Sequence, residues 1–263
     1  MKYEIKNRSF SETLTDTFLL YKDNFRTLFF IALVNSIPGV FMPDPGQGDP
    51  AKMTPIQVLN EMKPFITWYF AFGFVSTIAI ALMTQYIARR FQDREANILP
   101  ALKRIPFFII PVTGAYIMEA LLVGLMFFPI FIPYIVPALF PASLPILLGA
   151  IYLLIAFSLI TQVIIVERAG FISACKRSMF LTKGFKGLIL GYGIVFFLII
   201  IFGASIGQSI GELLLKSGAN AAFALLVQHL IQVLFYPVSS CFFLLIYFSM
   251  RIRKGEIVLR PPE

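Results

Sequence analysis

Long stretches without charge, separated by short basic blocks, dominate this sequence of 263 residues. The longest stretch runs from Ala120 to Val166 and contains no Asp, Glu, Lys or Arg. A helix needs about 20 apolar residues to cross a hydrocarbon core of about 30 Å, so this stretch holds two crossings. Only 14% of the residues are charged, whereas about 25% is usual for soluble domains. The sequence therefore predicts an all-α polytopic membrane protein.

Six apolar runs have the length of a membrane span and predict six transmembrane helices arranged as three hairpins. Their approximate bounds are 25–41, 65–88, 107–128, 146–166, 188–210 and 222–250. We expect a single integral membrane domain that ends in a short cytoplasmic tail at 251–263. Because no compact apolar core with a cleavage site precedes the first run, we expect an uncleaved anchor.

The basic residues predict the orientation of these spans. Nineteen of the 22 Lys and Arg residues lie in four blocks, at 1–26, 89–104, 167–187 and 251–263. Such residues collect on the cytoplasmic side of membrane helices, so both termini are predicted to be cytoplasmic. This orientation also explains the net charge of +8, and no nucleic-acid partner is expected.

Amphipathic segments on the inner membrane surface are predicted before spans 1, 3 and 5. In residues 9–24, Ser9 and Glu12 have the spacing of a capping box. One face of this segment carries five apolar side chains: Phe10, Leu14, Phe18, Tyr21 and Phe25. The segment before span 5 is predicted to place six residues on one face: Phe171, Ala174, Cys175, Ser178, Met179 and Thr182. Residues 96–105 are a weaker version, and whether the three units are true repeats stays open.

A candidate intramembrane polar site is predicted around Glu119, the acidic residue that lies deep inside a predicted span. A carboxylate in lipid is costly unless it is protonated or has a partner. Span 6 carries a polar stripe at spacings of three and four residues: Gln228, Gln232, Tyr236, Ser239 and Ser240. We predict that the stripe faces the bundle interior and hydrogen-bonds to Glu119. Two roles remain open, a proton-coupled or polar substrate pathway and interhelical hydrogen bonding.

Glycine and proline patterns predict packing and connections. Gly203, Gly207 and Gly211 form a smooth face on span 5 that allows close approach of another helix. Prolines recur every four residues between Pro129 and Pro145. Because proline removes a backbone donor and clashes with the preceding turn, the sequence predicts an irregular or extended connection there. That connection would offer an apolar surface to a lipid or a partner protein.

Catalytic signatures are absent from the sequence. It has no phosphate-binding loop, nucleophile elbow or paired-cysteine motif. Its single histidine, His229, excludes a histidine-rich metal site formed by this chain alone. We therefore expect no enzyme activity, no cofactor and no metal.

Two segments resemble a bacterial family of six-span proteins, the glycerophosphoryl diester phosphodiesterase membrane-domain family. The first reads VERAG at 166–170, CKRS at 175–178 and LTKG at 181–184; the second runs from Pro237 through Tyr247 to RIRKG at 251–255. Some members join this membrane region to a phosphodiesterase barrel, which this sequence does not contain. The resemblance therefore implies the fold, a location in a bacterial inner membrane and an accessory role there, without phosphodiester hydrolysis.

The sequence favours a non-enzymatic multi-pass membrane protein that acts as an accessory or scaffold. The expected partners are membrane lipids, and a partner membrane protein or a second copy of the chain. The alternative is a small transporter or channel that uses Glu119 and the polar stripe.

Overall fold

The computed structural model describes residues 5–37, 55–91, 98–135 and 140–256. Within these ranges every extended regular element is an α-helix and no strand occurs. In chain order the helices are α1 (Phe10–Asp23), α2 (Phe25–Ser36), α3 (Pro55–Arg90), α4 (Ile98–Leu102), α5 (Ile105–Ile135), α6 (Phe140–Phe157), α7 (Ile160–Glu167), α8 (Phe171–Thr182), α9 (Lys186–Lys216) and α10 (Ala221–Arg253). The all-α prediction is confirmed.

Five helical segments in the described ranges are long and apolar enough to cross a membrane. They are Phe70–Arg90, Ile105–Met126, Ser143–Glu167, Lys186–Lys216 and Phe223–Arg253. The apolar helix α2 has only 12 residues, and the end of the first predicted span, to residue 41, lies outside the described residues. The chain therefore has the architecture of a helical membrane protein.

The predicted irregular connection over 129–145 is wrong wherever the structure describes it. α5 continues through Pro129 and Pro133, and α6 already contains Pro141 and Pro145; residues 136–139 lie outside the described residues. An extended backbone at this depth would leave many peptide groups without partners in lipid, whereas a proline frees only single groups in a helix. The helix is therefore the less costly conformation.

A short turn at Ser158 and Leu159 divides the fourth predicted span into α6 and α7. Ser178 of α8 reaches into this turn, where its Oγ donates to the Ala156 carbonyl at 2.8 Å and accepts from Leu159 N–H at 3.3 Å. Side chains that enter the backbone hydrogen-bond ladder are a known cause of helix kinks. α8 is thus built into the bundle as well as lying at its surface.

Because α8 packs against α6 and α7, the face that it buries differs from the face predicted from the sequence. Ala174, Ser178, Leu181 and Thr182 are buried, whereas Met179, which the sequence placed on this face, is 46% exposed. Hydrogen bonds from Ser178 and Thr182 to the Ala156 carbonyl hold the helix in this rotation. The face that α8 buries therefore differs from the predicted face, because it excludes Met179 and includes Leu181.

α1 packs along α10 with its threonines inward. The predicted capping box is confirmed, since Ser9 Oγ accepts from Glu12 N–H and Glu12 accepts from Ser9 N–H. Thr13, Thr17 and Leu20 are buried, whereas Phe18 and Phe25 are exposed. Threonine hydroxyls can be buried here because they bond to carbonyls four residues earlier in the chain. The buried face of α1 is therefore distinct from the predicted apolar face, on which Phe18 and Phe25 are exposed, and the contact of that face with the membrane surface stays a prediction.

The second half of α10 is the centre of the molecule. From Val238 to Met250 nearly every side chain is buried, because α9, α1, α2, α3, α7 and α8 all pack against this helix. A helix that is apolar on all sides belongs inside a bundle. The end of α10 is consequently surrounded by the ends of its neighbours.

Candidate functional site

Glu119 lies on the inward face of α5, in line with Val112, Ala115 and Leu122. Its side chain is half-buried. The main neighbours of α5 are α6, α3, α7 and α8. No hydrogen bond among the described residues joins Glu119 to α10, so the structure does not bring the carboxyl group to the polar stripe as the sequence predicted.

The polar stripe of α10 divides between two neighbouring helices. Gln228 and Gln232 face α9, whereas Tyr236 Oη donates to the carbonyl of Ser76 on α3 at 3.2 Å. Ser239 Oγ donates to the Tyr236 carbonyl of its own helix at 2.8 Å, and Ser240 is buried. These residues therefore do not line one common surface, and a functional role for them stays a prediction.

The three glycines of α9 lie directly against α10. A Cβ atom added to Gly203 would lie 2.6 Å from the ring of Phe235, and one added to Gly207 would lie 3.0 Å from the Gln228 carbonyl oxygen. A Cβ atom on Gly211 would lie 3.0 Å from Gln228 Oε1. The absence of side chains allows this close approach of the two helices.

A network of ion pairs surrounds Arg177 at the end of the bundle where α10 finishes. Its Nε donates to both carboxylate oxygens of Glu167, at 3.1 and 3.0 Å, and its terminal nitrogens donate to Glu256. Tyr247 Oη donates to Glu167 Oε1 at 2.7 Å, and Arg251 Nε donates to Glu256 Oε2 at 3.1 Å. Planar guanidinium groups match carboxylates in this bidentate way. The network thus joins α7, α8, α10 and the residues after α10.

The protonation behaviour of this network follows from its contacts. Burial raises the pKa of Glu256, but hydrogen bonds from Arg177 and Arg251 outweigh burial and hold that pKa below the ordinary value of 4.5. The hydrogen bond to Glu256 also raises the pKa of Arg177. Burial lowers this pKa, but the hydrogen bond to Glu167 and the charge of Glu167 raise it further. Both groups are therefore charged at neutral pH.

The N-terminal segment and the end of α10 lie at this same end of the bundle. Arg253 Nε donates to Asn7 Oδ1 at 3.1 Å and its Nη2 donates to the Arg8 carbonyl at 3.3 Å. Lys254 Nζ donates to the Lys183 carbonyl at 2.9 Å. We call this region the basic end and define it by its cationic residues: Arg8, Arg104, Arg168, Arg177, Lys183, Lys186, Arg251, Arg253 and Lys254.

Aromatic rings stand among the cations of the basic end. Lys186 Nζ lies 3.3 Å from the ring centroid of Tyr152, and Lys254 Nζ lies 4.8 Å from that of Phe180. Aromatic and basic side chains are both typical of the interface between membrane and water. The arrangement can bind anionic headgroups while its rings contact apolar chains.

A cavity of about 570 Å³ opens at the basic end, between the start of α5 and the connection from α7 to α8. Among the described residues, its lining contains Arg104 and Arg168 and several apolar side chains, and no carboxylate. Arg168 has left-handed backbone angles, with φ 56°. Glycine is usual at such a helix end, and a residue with a side chain costs about 1 kcal/mol more there.

The described ranges hold no group of three or more His, Cys, Asp or Glu residues able to bind a metal ion.

Sequence reasoning did not single out the ion pairs of Arg177 or the cavity beside Arg168. One signal was present, because Glu167 is the sole acidic residue in the block 167–187. An isolated acid among bases at a span end indicates an ion pair.

The fold and the basic end together define an all-helical chain with the character of a membrane protein. Comparisons with family models, with curated proteins and with solved structures found no match. The function therefore has to be inferred from the geometry.

Proposed function

We propose that this chain is a non-enzymatic accessory or scaffold protein of the bacterial inner membrane that binds anionic lipids at its basic end. The observation that carries this proposal is the collection of arginines, lysines and aromatic rings at one end of the helical bundle. Cations near a membrane surface each contribute about 1 kcal/mol to binding of anionic lipid. A partner membrane protein or a second copy would dock beside these lipids.

We also propose that the chain crosses the membrane six times. Asn7 and Arg8 contact Arg253, so both chain ends lie at the same end of the bundle. Two ends on one side require an even number of crossings, and five long apolar helices are described. This favours a sixth crossing that includes α2, although α2 itself is short.

The orientation of the basic end follows from its charge. Nineteen of the 22 Lys and Arg residues belong to the four blocks that the sequence places on one side. The positive-inside bias of membrane helices favours the cytoplasm for that side. Both termini are then cytoplasmic.

The network around Arg177 supports the family resemblance, which we retain as a proposal. Glu167 and Arg177 come from the first resembling segment, and Tyr247 and Arg251 come from the second, about 80 residues later. Their contacts join the two segments at the basic end of the bundle. Membership in the glycerophosphoryl diester phosphodiesterase membrane-domain family would imply an accessory role in the membrane.

Lipid analysis of the protein extracted with its surrounding membrane tests the proposed function. Polymer-bounded particles that contain the chain are compared with particles from the same membrane that contain an unrelated six-span protein. We expect enrichment of anionic over zwitterionic phospholipid with the chain. Equal lipid composition in the two samples would contradict the proposal, as would proton or solute flux in liposomes that disappears in Glu119→Gln.

A further inference from the structure

The cavity at the basic end has two walls of different chemistry. Arg104 and Arg168 supply positive charge from two chain segments that are far apart in the sequence. Phe107 and Ile110, in the first and second turns of α5, are 79% and 80% exposed. A cavity of about 570 Å³ is within the usual range for small-molecule sites.

The charged wall is suited to a phosphate group. Guanidinium groups bind phosphate oxygens in a bidentate way, and the described residues that line the cavity are basic or uncharged. Glu167, which adjoins Arg168 in the sequence, is held by Arg177 and Tyr247. Two helices, α5 and α8, also begin at the cavity, and the amide groups of helix N-termini favour anions.

The apolar wall distinguishes a lipid from a soluble anion. Phe107 and Ile110 are almost fully exposed at the start of a helix that is long and apolar enough to span a membrane. A free phosphate ion gains nothing from such side chains, whereas acyl chains cover them. The juxtaposition of both walls therefore favours a ligand that is itself amphipathic.

The backbone at Arg168 adds an independent observation. This residue has φ 56°, a conformation in which glycine would be less strained, yet an exposed arginine occupies the position. Backbone strain of this kind collects at functional sites. An arginine with a role in ligand binding accounts for the choice of residue, whereas helix termination alone does not.

We propose that this cavity is a specific site for the headgroup of an anionic phospholipid. Arg104 and Arg168 bind the phosphate, and Phe107 and Ile110 contact the acyl chains. The proposal rests on the proposed lipid-binding function and assigns it to one site. It predicts that the two arginines matter more for lipid binding than an exposed cation outside the cavity.

Binding of phosphatidylglycerol to the full chain in phosphatidylcholine nanodiscs tests this site. The variants are Arg104→Gln, Arg168→Gly and their combination, with Lys176→Gln as the matched control because Lys176 is exposed on α8 and does not line the cavity. We expect about tenfold weaker binding for each arginine variant and no change for the control. Arg168→Gly should melt no lower than the wild type, which separates ligand binding from structural support.

Several results would overturn the assignment. Unchanged affinity in the double variant, or equal loss in Lys176→Gln, would show that the cavity is not the site. Competition by millimolar inorganic phosphate with equal affinity would show a soluble-anion site instead of a lipid site. If anionic lipid is enriched around the wild type and the double variant alike, this site fails while the proposed function stands. If the wild type enriches none, the proposed function fails as well.

Discussion

Arg177 is the residue on which the basic end depends most directly, because its five donors serve two carboxylates from different parts of the chain. Glu167 ends α7 and Glu256 follows α10, and both bond to the same guanidinium group. Side chains in this network are only 21–27% exposed. Ion pairs at this depth are weakly screened, and the loss of one partner leaves charges uncompensated. A lysine could not form the bidentate contacts.

Acidification should loosen this network through Glu256. Its pKa is lower in the folded protein than the ordinary 4.5, so the unfolded chain takes up the proton more readily. The stability from this group is present above about pH 4.5 and is lost as the pH falls through the lowered pKa. Melting of the detergent-solubilised protein should therefore drop steeply below this pH.

Glu256→Gln is the control for this effect. Because the variant lacks the titrating group, we expect a lower melting temperature at neutral pH and a shallower fall on acidification. A fall that is equally steep in the variant and the wild type would assign the acid sensitivity to other carboxylates.

At the scale of elements, close contacts between helices decide the packing. Gly207 lies against the backbone carbonyl oxygen of Gln228, and Tyr116 of α5 lies over Gly73 of α3. Packing in lipid gains little from the hydrophobic effect, so it depends on such close approach. The glycine spacing on α9 was visible in the sequence, whereas the partner helix was not.

Gly207→Ala should separate α9 from α10. The new Cβ would lie 3.0 Å from a backbone atom that cannot rotate away, so we expect a loss of about 1–3 kcal/mol of stability. Gly193→Ala on the same helix is the matched control, because nothing lies within 4 Å of its Cβ position. Thermal melting in detergent should show a loss for Gly207→Ala and no loss, or a small gain, for Gly193→Ala. Equal melting temperatures for the two variants would contradict a packing role for Gly207.

The sequence predicted helix type and approximate extent well, because apolar length and charge are local properties. It failed where partners far along the chain decide the outcome. The helix through Pro129 and Pro133 reflects the cost of unpaired peptide groups in lipid, which outweighs the local preference of proline. The break at Ser158 and the inward rotation of α8 depend on Ser178, about 20 residues later. The placement of Glu119 away from the polar stripe depends on which helices are neighbours.

At the scale of the whole molecule, the contact of Arg253 with the N-terminal segment constrains how the chain can cross a membrane. Asn7 and Arg8 lie at the basic end, where α10 ends. α9 begins at the basic end with Lys186, and Ser217 follows its opposite, C-terminal end. α9 is a continuous helix of 31 residues, which is about 46 Å long. A rigid bundle therefore cannot place Ser217 in the same compartment as the basic end.

Labelling of single cysteines with a membrane-impermeant maleimide tests this arrangement in cells. In a Cys175→Ser background, with Cys241 buried, Ser217→Cys should react in intact cells. Lys176→Cys and Lys6→Cys should react only after permeabilisation. Both Ser217 and Lys176 are exposed in the structure, so access to the side chain is not limiting. Reaction of Lys6→Cys in intact cells, with Lys176→Cys still protected, would leave an odd number of crossings and contradict the six-span proposal.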